Sequence, residues 1–415
     1  MEYTDRKVIV LGLGRTGEAL RSFLAARGAT VEVYDDRLSD GKGADLCGAF
    51  DFAVISPGFP PSNAVARRLR EQGVPILSEL DLAYIHCPSD RIYAVSGTNG
   101  KTTTVTILNE MLSSVGASHL VGNVGTPYIS AVDRISPKDA VVVEVSSFQI
   151  EQSSVFRPRV AALTNVGEDH LDRHHDAEIY RKLKLSFAKR AGIAVLNRDD
   201  PVQDEVRGIG YSLLSPNADY FLDGRSIVAG GKAFRLPEPS RGEAFDRDFL
   251  CAFAVACVAY GYKSNFLSAY ERVVVPRFRF ERIGTICGAT VINDSKGTNV
   301  DAALFALSLC KGRTAIILGG SDKGEDYARL MRGIGSAERI YLVGGNAMEL
   351  YLAAGQETRK KCLPMADLES AVAHFVSDPL NTLLFSPGCA SFDRYHDYEE
   401  RGRDFDAIVE KYRGN

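Results

Sequence analysis

No Cys-x-x-Cys pair occurs in this sequence, although it holds eight cysteines, at positions 47, 87, 251, 257, 287, 310, 362 and 389. Thiols scattered in this way offer neither a structural zinc site nor a disulfide framework, and they fit a reducing compartment. A strong charge of either sign is also missing, the formal net charge being -4 over 415 residues. That leaves no global electrostatic pull on nucleic acid and argues against a nucleic-acid NTPase. No apolar run reaches membrane-spanning length, and Met1-Glu2-Tyr3-Thr4-Asp5-Arg6-Lys7 lacks the basic-then-apolar pattern of a signal peptide. A cytoplasmic protein without membrane insertion is therefore expected. What is present is an ordinary globular composition, 45% hydrophobic and 25% charged, in a chain long enough for two or three domains.

The stretch around which the chain is organised is Ser96-Gly97-Thr98-Asn99-Gly100-Lys101-Thr102-Thr103-Thr104. It follows the apolar run Ile92-Tyr93-Ala94-Val95, bounded like a buried strand, and leads into a segment whose Val105, Leu108, Met111 and Leu112 share a helical face. Strand, glycine loop and helix make a phosphate cradle. Two glycines let backbone N–H groups approach an anion, the helix N-terminus adds partial positive charge, Lys101 reaches terminal phosphates, and Thr102 offers an oxygen to Mg2+. A general Walker A pattern wants glycine where Val95 stands, so the loop is a shorter variant. A plain turn before a helix is the alternative.

Upstream, Lys7 to Leu11 reads as a strand, followed by Gly12-Leu13-Gly14-Arg15-Thr16-Gly17, a helical pattern through Ala26, and a second strand ending at Asp35-Asp36-Arg37. This is the Gly-x-Gly-x-x-Gly fingerprint with an acid roughly 20 positions on, which alone suggests a dinucleotide. The α/β pattern stops near His86-Cys87-Pro88, however, leaving room for one mononucleotide. A diphosphate at the helix N-terminus would use the same glycines, and a tight packing turn without ligand is the remaining reading.

Downstream of the phosphate loop come the turn Gly122-Asn123-Val124-Gly125 and the run Ala140-Val141-Val142-Val143-Glu144. A lone Glu144 at the end of so apolar a strand is costly to bury unless it meets a cation or a base, and Mg2+ is favoured over an incidental ion pair. Val160 to Leu163 then runs into Thr164-Asn165-Val166-Gly167-Glu168-Asp169-His170-Leu171-Asp172-Arg173-His174, dense in Asp, Glu and His where open α/β sheets bind ligands. A solvated loop would carry the same residues. Tyr211 to Pro239 looks like an antiparallel appendage, and Phe249 to Tyr260 like a helix. From Arg277 a further α/β region begins, whose strands end at Asn293-Asp294-Ser295-Lys296, Gly319-Gly320-Ser321-Asp322-Lys323-Gly324, Gly344-Gly345 and Ser386-Pro387-Gly388. Loops carrying Asp294, Lys296, Lys323 and Ser391 gather at one sheet edge in such a fold.

Together these motifs resemble the Mur ligases of peptidoglycan synthesis, across all three regions in order. Gly97-Thr98-Asn99-Gly100-Lys101-Thr102 matches the family's ATP loop, and Glu144-Val145-Ser146-Ser147-Phe148-Gln149 resembles its D-glutamate branch. Asn165-Val166 with Asp169-His170, Asn293-Asp294-Ser295-Lys296, Asp322-Lys323-Gly324 and Ala390-Ser391-Phe392-Asp393 complete the likeness. The resemblance implies an α/β chain of three domains: a Rossmann-like UDP-substrate domain (1–88), a P-loop-type central ATP domain with a mostly parallel sheet (89–275), and a Rossmann-like amino-acid domain (276–415).

It also implies an ATP- and Mg2+-dependent ligase, expected to be monomeric, acting on UDP-N-acetylmuramoyl-L-alanine and D-glutamate through an acyl phosphate. By the family pattern Gly97, Thr98, Asn99, Gly100, Lys101, Thr102 and Thr103 hold ATP, with Arg279 near the γ-phosphate and Asp294 near the ribose. Thr102, Glu144, His170 and a carbamylated Lys184 serve Mg2+; without the family, Lys184 reads as a surface lysine. Lys101, Glu144, His170 and Lys184 are the expected catalytic residues. Leu13, Arg15, Thr16, Asp35, Arg37 and Asn123 would bind the UDP substrate, and Thr298, Lys323, Ser391 and Tyr398 the amino acid. One departure is substantial: the family's Gly-x-His-Asn-x-x-Asn adenine contact is replaced by Arg247, Asp248 and Cys251, so a weaker preference for adenine is expected. Gly167, where the family prefers threonine, is a smaller change. Alternatives are a sister ligase adding another amino acid, though an Asp-Asn-Pro-Arg motif is absent, a folylpolyglutamate synthase, or a binding module with a degraded nucleotide site.

Overall fold

The computed structural model describes residues 2–36, 49–123, 125–167, 169, 171–174, 176–322, 324 and 326–413, with only the backbone of Leu171 and Asp172. Arg37, His170 and Lys323 lie outside the described residues. Three mostly parallel sheets carry the fold. The first has the strand order β2-β1-β3-β4 and is built from β1 (Lys7–Leu11), β2 (Thr30–Tyr34), β3 (Phe52–Ile55) and β4 (Ile76–Ser78), all parallel.

The second sheet has nine strands in the order β13-β12-β11-β10-β9-β8-β5-β7-β6. These are β5 (Ile92–Ser96), β6 (Ser118–Gly122), β7 (Ala140–Glu144), β8 (Val160–Leu163), β9 (Ile193–Asn197), β10 (Ile209–Ser212), β11 (Tyr220–Asp223), β12 (Ser226–Ala229) and β13 (Lys232–Arg235). Its centre is parallel, and every residue of β5, β7 and β8 is buried, which is why these strands read as continuous apolar runs rather than alternating ones. The appendage at the far edge is antiparallel across β11, β12 and β13, and joins the same sheet.

The third sheet runs β14-β15-β19-β16-β17-β18, from β14 (Glu281–Ile286), β15 (Ala289–Asn293), β16 (Thr314–Leu318), β17 (Arg339–Leu342), β18 (Cys362–Pro364) and β19 (Thr382–Phe385). Only β14 is antiparallel to its neighbour.

The chain divides into two compact units, one of Met1–Val166 with Lys182–Val274, the other of Gly167–Arg181 with Val275–Asn415. In the first unit a single core runs from Val8, Val10 and Leu20 through Leu80 and Ala83 to Ala94, Val143 and Leu163, joining the first two sheets. The helix Glu79–His86 reinforces this join with two buried carboxylates. Glu79 accepts the Ile129 N–H at 2.9 Å, and Asp81 accepts from the Ser153 hydroxyl at 2.6 Å and the N–H groups of Ser154, Val155 and Phe156. Buried carboxyl groups that accept hydrogen bonds from a neighbouring segment hold it in register and cost little only while every bond is kept. Among the described residues, no helix is long and apolar enough to cross a membrane.

Candidate active site

Parallel pairing sets the carboxyl ends of β8, β5, β7 and β6 side by side. Glu144 closes β7 opposite Val95 on one side and Gly122 on the other, while Gly97 follows β5, Asn123 follows β6 and Thr164 follows β8. Ligands of open α/β sheets bind at this edge. Four chain segments far apart in sequence therefore meet there.

Gly97 carries φ +144°, and a β-carbon on it would lie 1.9 Å from the Thr164 hydroxyl oxygen, so no other residue fits. Beyond it the helix Lys101–Ser113 begins with Thr102 and Thr103 buried in its first turn, where N–H groups have no acceptor inside the helix. The Lys101 ammonium donates to the carbonyls of Gly97 at 2.9 Å and Thr98 at 2.7 Å. Lys184, on the helix Ala177–Lys189, is only 1% exposed and donates to the Ser96 hydroxyl and the same Gly97 carbonyl, both at 2.9 Å. Two ammonium groups thus converge on one carbonyl, inside the loop rather than on the surface.

Glu144 is 1% exposed. Its Oε1 accepts from the Asn123 side-chain amide at 2.8 Å, whereas Oε2 is buried with no hydrogen-bond partner. A buried carboxylate oxygen without a donor is costly, and a cation would relieve it. With Thr102 buried in the first turn of the loop's helix, the donor set fits Mg2+, a hard cation that takes oxygen ligands. Among the described residues, no group of three or more His, Cys, Asp or Glu side chains is placed to hold a metal by itself.

Beside this edge, a cavity of about 530 Å3 is lined by Gly12, Arg15, Thr16, Asp35, the Ser56–Pro60 loop, Asn123 and Gln149. It brings Arg15, Thr16, Asp35 and Asn123 together. Leu13 contributes its N–H, which donates to Asp35 at 2.8 Å. Gly17 lets the fingerprint helix close on β1, since a β-carbon there would meet the Gly12 carbonyl oxygen at 1.9 Å.

In the second unit the loops after β15, β16 and β19 are stitched to one another. Gly388 N–H donates to the Gly297 carbonyl at 2.8 Å, Gly319 N–H to that of Pro387 at 2.9 Å, and Ser321 N–H to that of Ala390 at 3.0 Å. Arg401, 3% exposed on the helix Tyr398–Lys411, binds the carbonyls of Ser295, Cys389 and Ala390 and the Ser295 hydroxyl. Burial pulls its guanidinium down to about 10. This framework holds Ser391, which is buried, and Thr298, which precedes the helix N-cap Asn299. Tyr398 opens the helix, with the Lys296 ammonium 4.7 Å from its ring centre.

Asp294 uses both oxygens within the protein, accepting from the Phe280 N–H at 2.9 Å and the Ser386 hydroxyl at 2.6 Å. Burial raises its carboxyl to about 6. The bond to Phe280 fixes the backbone next to Arg279, where Phe278 and Phe280 both take left-handed φ values of +67° and +49°. Such conformations in bulky residues are strained and persist only where the surroundings enforce them.

Arg247, Asp248 and Cys251, the residues expected where the family contacts adenine, lie on the helix Glu243–Tyr260. Asp248 approaches the phosphate loop closely enough that a β-carbon on Gly100 would meet its Oδ1 at 2.4 Å. Cys251 is fully buried, and burial pushes its thiol up to about 12. Two organising residues stood outside the expected site set, Asn165 and Arg401. The first was visible as part of a motif; the second, among Glu399, Glu400, Arg403 and Asp404, has the sequence context of a solvated face.

The middle-domain model of the Mur ligases matches residues 95–229, and the Mur ligase glutamate ligase domain matches 278–384. The chain belongs to the Mur ligase family. Within it, the chain is 34% identical over 447 residues to the UDP-N-acetylmuramoylalanine–D-glutamate ligase of Pelotomaculum thermopropionicum, covering 98% of both chains. The enzyme of that name from Chlorobium phaeobacteroides is 33% identical, with 99% of each chain covered. Solved structures share the fold: MurC of Thermotoga maritima (TM-score 0.62, 17% identity, 98% of this chain and 99% of that one). MurF of Thermotoga maritima, in complex with ADP, aligns with TM-score 0.61 at 16% identity, over 99% of this chain and 96% of that one.

Proposed function

We propose that this chain joins D-glutamate to UDP-N-acetylmuramoyl-L-alanine at the expense of ATP, in the synthesis of peptidoglycan precursors. The observation that carries the reading is the strand edge, where a phosphate loop, two lysine contacts to one loop carbonyl and a carboxylate oxygen without a donor meet beside a nucleotide-sized cavity. It stands on a chain that matches D-glutamate ligases over nearly its whole length.

In this reading the substrate's terminal carboxylate attacks the γ-phosphorus and ADP leaves, giving an acyl phosphate. The amine of D-glutamate then adds to the acyl carbon, and the tetrahedral intermediate expels phosphate. Phosphoryl transfer needs mainly positioning and charge neutralisation. Lys101 and the first turn of its helix, with Thr102 and Thr103, orient the triphosphate seated beside the loop Gly97 to Gly100. Thr102, Glu144, His170 and Lys184 are the residues to hold Mg2+, which when bound neutralises phosphate charge. Lys184 would do so as a carbamate, which turns a cation into an anionic oxygen ligand of the kind Mg2+ takes. Arg279 is assigned to the γ-phosphate and Asp294 to the ribose of ATP.

Leu13, Arg15, Thr16, Asp35, Arg37 and Asn123 are assigned to the UDP substrate, within residues 1–88 and the adjoining part of the central domain, 89–275. Thr298, Lys323, Ser391 and Tyr398, within 276–415, are assigned to D-glutamate, for whose two carboxylates a cation and hydroxyls are suitable donors. The protein is taken to be a cytoplasmic monomer. The test is phosphate release from MgATP and UDP-N-acetylmuramoyl-L-alanine with D-glutamate, L-glutamate, L-lysine or diaminopimelate as the amine. Release with D-glutamate alone is expected; release with another amine only would move the chain to a sister activity.

A further inference from the structure

The phosphate loop does not hold its shape by itself. Asn165 pairs with both main-chain groups of Asn99: its Oδ1 accepts the Asn99 N–H at 2.9 Å, and its Nδ2 donates to the Asn99 carbonyl at 3.2 Å. The Asn165 carbonyl in turn accepts the Thr98 N–H at 2.9 Å. Thr164 adds a hydroxyl bond to the same Asn99 carbonyl at 2.5 Å. The brace is itself anchored, because Asn197 donates to the Thr164 carbonyl at 2.9 Å and Asp200 accepts the Val166 N–H at 2.7 Å.

An amide side chain that satisfies the donor and the acceptor of one residue acts as a strand partner one residue long. The consequence is a division of labour within the loop. The N–H groups of Thr98 and Asn99 are spent on Asn165 and withdrawn from any anion. Gly100 and the first turn of the helix Lys101–Ser113 are left as the end that faces a phosphate chain. A glycine loop without this brace would have to order itself each time nucleotide binds, at a cost in affinity.

We infer that Asn165 is a positioning residue for ATP, fixing which N–H groups of the loop meet the triphosphate without touching the nucleotide. The inference rests on the phosphate-loop reading above. Two variants test it, Asn165→Ala, which removes the pairing, and Asn165→Asp, which keeps the shape and the acceptor but turns the donor into an oxygen facing the Asn99 carbonyl.

In both, KM for ATP is expected to rise about tenfold or more while KM for the UDP substrate and for D-glutamate stays within about twofold. Amide hydrogen exchange at Asn99 in the nucleotide-free protein is expected to accelerate in parallel. An unchanged ATP KM in both variants, or all three KM values rising together with a lowered melting temperature, would overturn the inference. Lys101→Ala separates the two levels. If that variant loses ATP use while the Asn165 variants do not, only the brace fails; if it keeps wild-type KM and kcat, the loop reading fails with it.

Discussion

The two sheet edges to which the chemistry is assigned are organised by opposite means. At the central edge, charged groups are held by neutral ones: Lys101 and Lys184 rest on loop carbonyls, Glu144 on the Asn123 amide, and the loop itself on Asn165. At the edge of the third sheet, a charged group holds neutral ones, since Arg401 gathers the carbonyls of three residues from two loops. The difference teaches where each site is vulnerable. On the reading proposed above, removing a charge at the central edge is expected to cost activity and leave the framework, whereas removing the guanidinium fork at the third is expected to loosen the framework.

The largest expected effect follows from the first half of that contrast. Lys101→Ala should lower kcat/KM by about 100- to 1000-fold, a loss of about 2.7 to 4 kcal/mol of transition-state stabilisation, with a melting temperature close to wild type. A variant that unfolds early would erase the distinction between the edges.

Arg401→Lys probes the other half. A lysine cannot reach the same carbonyls with a planar fork, so acceptors are left unmet in a buried place, costing on the order of 3 kcal/mol. Chemical denaturation should register that loss, and KM for D-glutamate should rise more than KM for ATP. Unchanged stability would mean that the loops hold themselves.

A smaller effect is expected at Asp248 and Cys251. With these residues in place of the family's asparagines, the ratio of catalytic efficiency between ATP and GTP should be about tenfold or less, measured under the same Mg2+. A ratio of several hundred would show that the base is chosen elsewhere.

The smallest effect separates the two units by pH. Burial raises the Glu79 carboxyl from its ordinary 4.5 to about 7. Between those values the folded chain keeps a proton that the unfolded chain has lost, so stability falls as pH rises through the window. Its contribution is fully present below pH 4.5 and gone above pH 7. Glu79→Gln keeps the oxygen that accepts the Ile129 N–H and should flatten the wild-type loss of about 1 kcal/mol between pH 6 and pH 8. Asp294, raised to about 6 in the other unit, titrates mostly below that range and should be unaffected.

The central edge was legible in the sequence because its requirements are local. Gly97 and Gly100 are dictated by backbone geometry and close approach, Lys101 and Thr102 by the loop they follow, and Glu144 by its conflict with an apolar strand. The order of the sheets also followed from the alternation of apolar runs and glycine turns. What remained hidden depends on tertiary neighbours. Lys184 and Arg401 sit on helices whose patterns read as partly solvated, and only the fold turns those positions inward. Asp81, on a short helix, accepts five hydrogen bonds from Ser153 to Phe156, a segment more than 70 residues away, which no local pattern announces. Asp294 was read as a nucleotide contact, and the structure adds its bonds to Phe280 and Ser386.

The central claim is that this strand edge activates a carboxylate by phosphoryl transfer, and oxygen transfer tests it most directly. The measurement uses UDP-N-acetylmuramoyl-L-alanine with its terminal carboxylate labelled with 18O, MgATP and D-glutamate, and determines the isotope content of the phosphate released. One labelled oxygen per phosphate is predicted, because the bond broken in the second step leaves the carboxylate oxygen on phosphorus. Phosphate free of label, formed together with amide product, would contradict the account.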